Sequence, residues 1–347
     1  MLPEQFPAVE TACRRVLAWP QRVRRQALAL IEFRAVIASI AIRAALLLPA
    51  LGITLYSAAG QSVYEPGKSY FGRSNYVEYI AGDMPIIVSA PHGGTLSPPD
   101  IPDRKKGEFI ADARVEELAR AVQQVFHRYF GHSPHVIICR LDRRKVDCNR
   151  DIEEGAGEDP VARRAWTEYQ EFIEIARSAV LASTRKGFYI DLHGQSHAIK
   201  RVELGYCVTD NQLTNADGVL NEPAFAKRST IRALARQTGA PFSELLRGTN
   251  SIGGLLAAKG YPAVPSPAMP SPGAADSYFD GGYNVRRHGS ARGDAIDGLQ
   301  MEVNYAGVRD SAVNQTNFSL ALAQVLDAYF THYYKLDLRT GAACGAQ

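Results

Sequence analysis

Short apolar segments that alternate with longer helical patterns are the feature that most constrains the fold of this chain. Several of the short segments are apolar on both faces, as strands covered on both sides of a sheet must be. The candidate strands are Tyr76–Ile80, Pro85–Ala90, His135–Leu141, Phe188–His193, Glu203–Val208 and Leu299–Asn304. The candidate helices are Arg114–Phe130, Val161–Ser183, Glu222–Gln237 and Ser311–Tyr334. This alternation predicts a single α/β domain over residues 61–347, with a mixed, mostly parallel central sheet flanked by helices.

The charge balance and the cysteine spacing exclude two classes of protein. The chain of 347 residues carries 39 basic and 36 acidic residues, so its formal net charge is only +3. Such a near balance lacks the electrostatic footprint of a nucleic-acid-binding protein, and we expect no nucleic-acid partner. None of the five cysteines forms a CxxC pair, which excludes a structural zinc ribbon.

The first 60 residues predict export or membrane attachment. An arginine-rich stretch precedes an apolar run over residues 35–59 that only Arg43 interrupts. The part after Arg43 has the length of a signal-peptide core and ends in small residues before Gly60. The whole run is also about the roughly 20 residues that a membrane-spanning helix needs. A signal peptide, an uncleaved anchor and an amphipathic helix packed on the domain therefore stay open as alternatives.

Two histidine-containing motifs directly follow candidate strands. SAPHGG, residues 89–94, places His92 on a tight turn, and DLHGQSH covers residues 191–197. Asp191 and His193 share one face of a strand, and a carboxylate beside a histidine can orient it as a metal ligand. Ligand sites of open α/β sheets lie at the carboxyl ends of strands, where both motifs fall. The alternatives are an ordinary turn histidine for His92 and a buried core histidine for His193.

Two further polar segments fall at the same predicted edge. LDRRKVDCNRD, residues 141–151, interleaves basic residues with aspartates, and a solvated surface turn is the usual interpretation of such a run. GLQMEVNY, residues 298–305, places Gln300, Glu302 and Asn304 on one face of a strand. A carboxylate in a core strand is costly unless it is paired or functional, so Glu302 is the strongest acid–base candidate.

In their order along the chain, these motifs resemble those of the N-formylglutamate amidohydrolases. The resemblance comprises PHGG, the segment ending in Asn149-Arg150, DLH with a serine and a histidine just after it, FDGGYNVRRHG over residues 279–289, and QMEV. It spans residues 88–304 and implies the phosphorylase/hydrolase-like fold shared with the zinc carboxypeptidases and aspartoacylases. The activity that it implies is zinc-dependent hydrolysis of an amide bond in a small N-acyl amino acid or peptide.

The resemblance also implies a zinc ion held by two histidines and a carboxylate, with one position left open. His92 and His193 match the two histidines. The carboxypeptidases place the carboxylate three residues after the first histidine, where this chain has Thr95. The formylglutamate-type proteins point instead to Asp112, which could alternatively serve as a helix N-cap. The substitutes for this ligand are Asp103 and Glu108.

Catalytic roles follow from the same resemblance. Glu302 matches the glutamate that takes a proton from water and delivers it to the leaving nitrogen. Arg144, or its neighbour Arg143, is the candidate for stabilising the oxyanion.

Substrate binding is assigned to three residues. Arg150 matches an arginine that clamps a substrate carboxylate through its planar fork, with help from Asn149. Arg287, in the 279–289 stretch, is also assigned to substrate binding. The expected substrate is therefore a small molecule or short peptide with a free carboxylate.

Two other functions stay open. Export would favour a carboxypeptidase or an amidase that acts on cell-wall or other extracellular peptides. In a different class, the fold could serve a metal-free binding protein without turnover. Both histidines and Glu302 are present, which argues against the second alternative. Bound zinc would distinguish a hydrolase from a metal-free binding protein.

Overall fold

An eight-stranded mixed sheet forms the centre of the protein, whose computed structural model describes residues 64–344. The strands are β1 (Ser69–Phe71), β2 (Val77–Ile80), β3 (Ile86–Ala90), β4 (His135–Cys139), β5 (Gly187–Gln195), β6 (Val202–Gly205), β7 (Ala263–Val264) and β8 (Ile296–Asn304). Their order is β1-β2-β4-β3-β5-β8-β6-β7. The four central strands β4, β3, β5 and β8 run parallel, whereas β2 and β6 pair antiparallel with β4 and β8. The predicted α/β class with a mixed sheet is confirmed.

Helices cover both faces of this sheet. The helices are Val115–Phe130, Ile152–Ala156, Pro160–Thr184, Asp210–Leu213, Asp217–Leu220, Pro223–Arg228, Arg232–Thr238, Phe242–Arg247, Ile252–Ala258, Tyr283–His288 and Ala312–Tyr329. The first helical layer contains Val115–Phe130 and Ala312–Tyr329, which pack against each other. The second layer contains Pro160–Thr184 and Tyr283–His288. No helix within residues 64–344 is both long enough and apolar enough to cross a membrane.

The strands are buried on both faces, as their uninterrupted apolar character predicts. In β3, Ile86 and Val88 belong to the core under the first helical layer, and Ile87 belongs to the core under the second. In β8 the second face is polar toward the carboxyl end, where Gln300 and Glu302 replace apolar side chains. The functional cavity therefore opens on the second face of the sheet.

Two predicted boundaries are wrong because backbone groups at those points bond elsewhere. The predicted helix Glu222–Gln237 is divided at Thr230, whose N–H donates to Tyr206 O and whose Oγ1 donates to Gly298 O. The predicted strand Glu203–Val208 ends early because Cys207 has a φ of 58° and donates its N–H to Asp280 O. Strands β1 and β7 are too short for a period of two to reveal them in the sequence.

The predicted signal peptide or membrane anchor over residues 1–60, with its apolar run at 35–59, lies outside the described residues. Export and membrane association therefore stay predictions.

The buried histidine at the start of β4 predicts a pH dependence of stability. His135 Nδ1 accepts hydrogen bonds from the hydroxyl of Tyr79 at 2.8 Å and from the N–H of Gly82 at 3.1 Å, so the fold needs the neutral ring. Burial lowers the pKa of His135 to about 4, from an ordinary value of 6.5. This group therefore stabilises the protein fully above pH 6.5, and the contribution is lost as the pH falls toward 4. It amounts to about 3 kcal/mol.

We expect His135→Gln, which stays neutral, to flatten this part of the profile. Urea unfolding of both proteins between about pH 7.5 and pH 4 measures the difference in free energy of unfolding. Parallel profiles for the two proteins would contradict the assignment.

Candidate functional site

A cavity of about 610 Å³ opens at the carboxyl edge of β3, β5 and β8. The loops that follow these parallel strands supply most of its walls, which is where α/β sheets bind ligands. Phe279, Gly281 and Gly282, from the end of the Pro/Gly-rich stretch 260–282, also line it. At least this end of the stretch therefore contributes to the cavity wall.

His92 lies on the turn after β3 and is almost completely buried. Its Nε2 lies 2.7 Å from Asp147 Oδ1, and its Nδ1 lies 3.5 Å from Asp112 Oδ2. The two glycines after it allow close backbone contacts. A Cβ on Gly93 would lie 2.3 Å from the backbone N of Glu116, and the next glycine is equally restricted. The PHGG motif thus seats the histidine against the start of the first-layer helix.

His193 lies near the end of β5, beside Glu302 in the parallel register of β5 and β8. Its Nε2 lies 2.9 Å from Asp191 Oδ2, and its Nδ1 lies 3.1 Å from Asp112 Oδ2. The ring centroids of the two histidines are 4.8 Å apart. Both imidazoles therefore direct Nδ1 toward the same carboxylate.

Asp112 is the carboxylate that the structure brings to the two histidines. Its Oδ2 also accepts the N–H of Gly194 at 3.1 Å. The alternative N-cap role is wrong, because Arg114 occupies that position of the helix without a side-chain cap. Asp103 pairs with Lys145 at 2.8 Å instead. Glu108 borders the cavity, but its Oε1 accepts the N–H groups of Phe109 and Ile110.

The arrangement fits a divalent cation. One potential ligand atom from each of His92, Asp112 and His193 lies within 4.8 Å of the others. His92 Nδ1 is a buried nitrogen without a hydrogen-bond partner among the described residues. Each histidine has an aspartate at Nε2, which is the carboxylate–histidine arrangement that orients metal ligands. Two imidazole nitrogens and one carboxylate oxygen are a donor set that suits zinc with one open position.

The electrostatics support this orientation of the histidines. Although burial opposes ionisation, the His92 imidazole and the Arg143 guanidinium hold the pKa of Asp147 well below its usual range. Burial likewise opposes ionisation of Asp191, yet His193 and the Ser89 hydroxyl lower its pKa. Both aspartates are therefore charged acceptors at neutral pH.

Glu302 differs from these carboxylates because it has few compensating donors. Burial raises its pKa to about 7, while His193 opposes and Asp112 reinforces the change. Gln300 Nε2 donates to Glu302 Oε1 at 2.8 Å. The other oxygen, Oε2, is therefore the one free to exchange a proton.

The structure brings Arg143, and not Arg144, to the cavity. Arg143 is buried, and its Nε donates to Asp147 Oδ2 at 3.0 Å. Arg144 points outward with 54% of its side chain exposed, and it bonds to Asp142. The turn in which Lys145 N–H donates to Asp142 O places the two neighbouring arginines on different sides. Sequence alone had no means of choosing between them.

The two other arginines assigned to substrate also separate. Arg150 lines the cavity, with Nε 3.2 Å from Glu154 Oε1. Arg287 is not among the residues that line this cavity, and its assignment to substrate binding stays a prediction. Its Nη1 donates to Tyr283 OH, and its guanidinium lies over the Trp166 ring, 5.7 Å from the centroid. A helical turn after Gly282 directs it away from the cavity.

Asn149 lines the cavity and lies next to His193. Its Oδ1 accepts the Asn284 N–H at 2.8 Å, and its Nδ2 lies 3.2 Å from His193 Nε2. A Cβ on Gly282 would lie 2.5 Å from this amide, which explains the glycine there. The FDGG segment is thus shaped around Asn149.

Two residues that shape the site were not predicted from the sequence. Asp147, the partner of His92, lies within the charged run 141–151 and could not be distinguished from a surface residue. Arg309 is 2% exposed and donates to the carbonyls of Val303 and Gln195. A Cβ on Gly194 would lie 2.3 Å from the Arg309 guanidinium carbon. Only the glycine after His193 carried a signal of this close approach.

Comparison with known proteins gives structural similarity alone. No model of a known protein family matches the chain, and no curated protein matches it. The chain is similar to the N-formylglutamate amidohydrolase of Ralstonia eutropha JMP134, with 16% identity, a TM-score of 0.44, and coverage of 80% of this chain and 99% of that one.

Two further solved structures are similar. The gene product Atu2144 of Agrobacterium tumefaciens has 13% identity and a TM-score of 0.41, covering 72% of this chain and 93% of that one. The N-acetylmuramyl-L-alanine amidase Ami1 of Mycobacterium abscessus has 12% identity and a TM-score of 0.30, covering 71% and 98%. All three TM-scores lie below 0.5.

The geometry predicts that the two histidines and Asp112 hold a divalent cation. His193→Ala should lose most of one bound equivalent, because it removes a ligand. Asp147→Asn should lower the affinity for the metal by roughly 10–100-fold, because it removes the charged partner of His92 Nε2. Elemental analysis and zinc titration of the purified protein measure both effects.

His132→Ala is the matched control, because His132 also bonds to an aspartate, Asp83, but on the surface. A full equivalent of metal in folded His193→Ala would exclude this site.

Proposed function

We propose that this protein is a zinc-dependent amidohydrolase that cleaves an amide bond of a small N-acyl amino acid or peptide with a free carboxylate. The observation that carries the proposal is the convergence of His92 Nδ1, His193 Nδ1 and Asp112 Oδ2 beside the buried carboxyl group of Glu302. Structural zinc sites are usually closed by four protein ligands, whereas three ligands beside an acid–base group are typical of hydrolytic sites.

The residues around the site divide the work of hydrolysis between them. A zinc ion bound there would supply Lewis-acid polarisation and lower the pKa of water. Glu302 Oε2 would take a proton from the attacking water, since Gln300 occupies Oε1. A carboxyl group with a pKa near 7 is suited to both accepting and returning a proton at neutral pH.

Two arginines would supply positive charge to the substrate. Arg143 is held by Asp147 at the cavity wall, which supports it as the group that faces the developing oxyanion. Arg150 lines the same cavity, and its guanidinium is the candidate for binding the substrate carboxylate. A substrate anchored by that carboxylate would be oriented with its amide toward Glu302.

Removal of the acid–base group should separate turnover from metal binding. Glu302→Gln preserves shape and should retain the metal, yet lower kcat by roughly 10²–10⁴-fold on N-acyl amino acids. Glu108→Gln is the control, because this carboxylate borders the cavity but is occupied by backbone N–H groups. Kinetics with parallel metal analysis measure both variants, and an unchanged rate in metal-loaded Glu302→Gln would exclude the role.

The carboxylate-binding role of Arg150 predicts a selective loss. Arg150→Lys keeps the charge but not the bidentate fork, so kcat/KM should fall for acidic substrates and much less for their carboxamide analogues. Arg287→Lys is the control, because Arg287 lies over the Trp166 ring, whose Nε1 donates to Arg150 O, but does not line the cavity; it should leave both values unchanged. An equal loss on both substrate types with a lower Tm would show that Arg150 serves the ion pair with Glu154.

A further inference from the structure

A second histidine–carboxylate pair faces the cavity without a role in the proposed chemistry. His197 Nδ1 lies 3.0 Å from Glu203 Oε1, and Glu203 is completely buried at the centre of β6. Since a carboxylate only accepts, Nδ1 carries the hydrogen of this bond. The opposite nitrogen, Nε2, has no hydrogen bond to a described residue. His197 itself is part of the cavity wall.

The imidazole is held from three sides. Its ring stacks on Phe279 with centroids 4.9 Å apart and an angle of 20° between the planes. Glu203 Oε2 accepts the Phe279 N–H at 3.0 Å, so one carboxylate holds both the ring and its stacking partner. The backbone N–H of His197 donates to Gln195 Oε1. Ring orientation and tautomer are therefore set before any substrate enters.

The pair stands next to the acid–base residue. Glu203 and Glu302 are direct partners in the antiparallel register of β6 and β8, so their side chains lie on the same face. Cβ atoms of such partners are roughly 5 Å apart. His193 is the partner of Glu302 on the other side, in β5. Glu302 thus stands between the predicted metal ligand His193 on one side and the His197–Glu203 pair on the other.

A buried carboxylate at one nitrogen of an imidazole that lines a cavity, with the second nitrogen left without a protein partner, is the arrangement of a general acid–base histidine. A buried carboxylate needs partners, and one structural role of His197 is to bond to Glu203, which also pairs with buried Arg201 at 3.6 Å between Nε and Oε1. That structural role alone does not require the ring to line the cavity beside Glu302. A surface-facing partner would satisfy Glu203 equally well.

We propose that His197, in place of Glu302, is the catalytic residue that delivers the proton to the leaving nitrogen, with Glu203 as its positioning residue. The inference rests on the proposed amidohydrolase function. Glu302 accepts a proton from the attacking water, whose oxygen becomes part of the carboxyl product. As the C–N bond breaks, its electron pair passes to nitrogen, which takes the proton from Nε2 of protonated His197. The amine leaves, and the two residues return to their starting protonation states by exchange with solvent.

Amides and esters distinguish this role, because an alkoxide leaves with less need for a proton than an amide nitrogen does. The probes are N-acetyl-L-glutamate and its ester counterpart 2-acetoxyglutarate, with the metal-loaded full-length protein. His197→Gln should lower kcat on the amide by roughly 10²–10⁴-fold and on the ester by less than about tenfold, with KM little changed. Glu203→Gln should show the same split in weaker form, and Glu203→Asp should restore part of the amide rate.

His132→Gln is the matched control, because its ring bonds to Asp83 on the surface and outside the cavity. Metal content and Tm are measured for every variant. Equal loss on amide and ester, or no loss on either, would overturn the assignment while hydrolysis by the wild-type protein upheld the proposed function. Absence of hydrolysis of both probes and of a wider panel of N-acyl amino acids, with metal bound, would overturn both proposals.

Discussion

The architecture of the site depends on two buried aspartates, each of which contacts the Nε2 atom of one histidine. Asp147 contacts Nε2 of His92, and Asp191 contacts Nε2 of His193. Because each ring has only two nitrogens, these contacts leave both Nδ1 atoms directed at Asp112. The aspartates must be charged for this purpose. His92 and Arg143 lower the pKa of Asp147, and His193 and the Ser89 hydroxyl lower that of Asp191, although burial opposes both changes. The two buried charges thus fix the orientation of both imidazole rings and of their Nδ1 atoms.

The sheet supplies the precision that such a site needs. His193 and Glu302 are register partners on adjacent parallel strands, so the proposed metal ligand and the proposed acid–base group have a separation set by backbone hydrogen bonds. Loops then approach the sheet edge very closely. Gly93, Gly194 and Gly282 each stand where a Cβ would collide with backbone, guanidinium or amide atoms. The glycines of the three motifs therefore serve packing rather than flexibility.

Charge is distributed unequally around Glu302, and the chemistry follows from that. The aspartates beside the histidines keep a low pKa because the histidines contact them, with help from Arg143 at Asp147 and from Ser89 at Asp191, whereas burial raises the pKa of Glu302 to about 7. Arg143 and Arg150 line the cavity, and their positive charge suits an anionic substrate and an oxyanion. The His197–Glu203 pair is the proposed second site of proton exchange, on the β6 side of Glu302. Hydrolysis of an amide needs proton transfers at both the water and the leaving nitrogen, and this cavity presents a candidate for each.

The sequence alone determined the class of fold and the identity of the main chemical groups. The uninterrupted apolar strands, the alternation in β8 and the histidines that follow strands are all local patterns, so they could be interpreted without the fold. Tertiary structure decided which distant residues meet. Arg143 rather than Arg144 reaches the cavity, Arg287 turns to Trp166, and Asp147 emerges from a charged run as the partner of His92. Such choices depend on the direction of a turn and on contacts between residues more than fifty positions apart, and no local pattern encodes either.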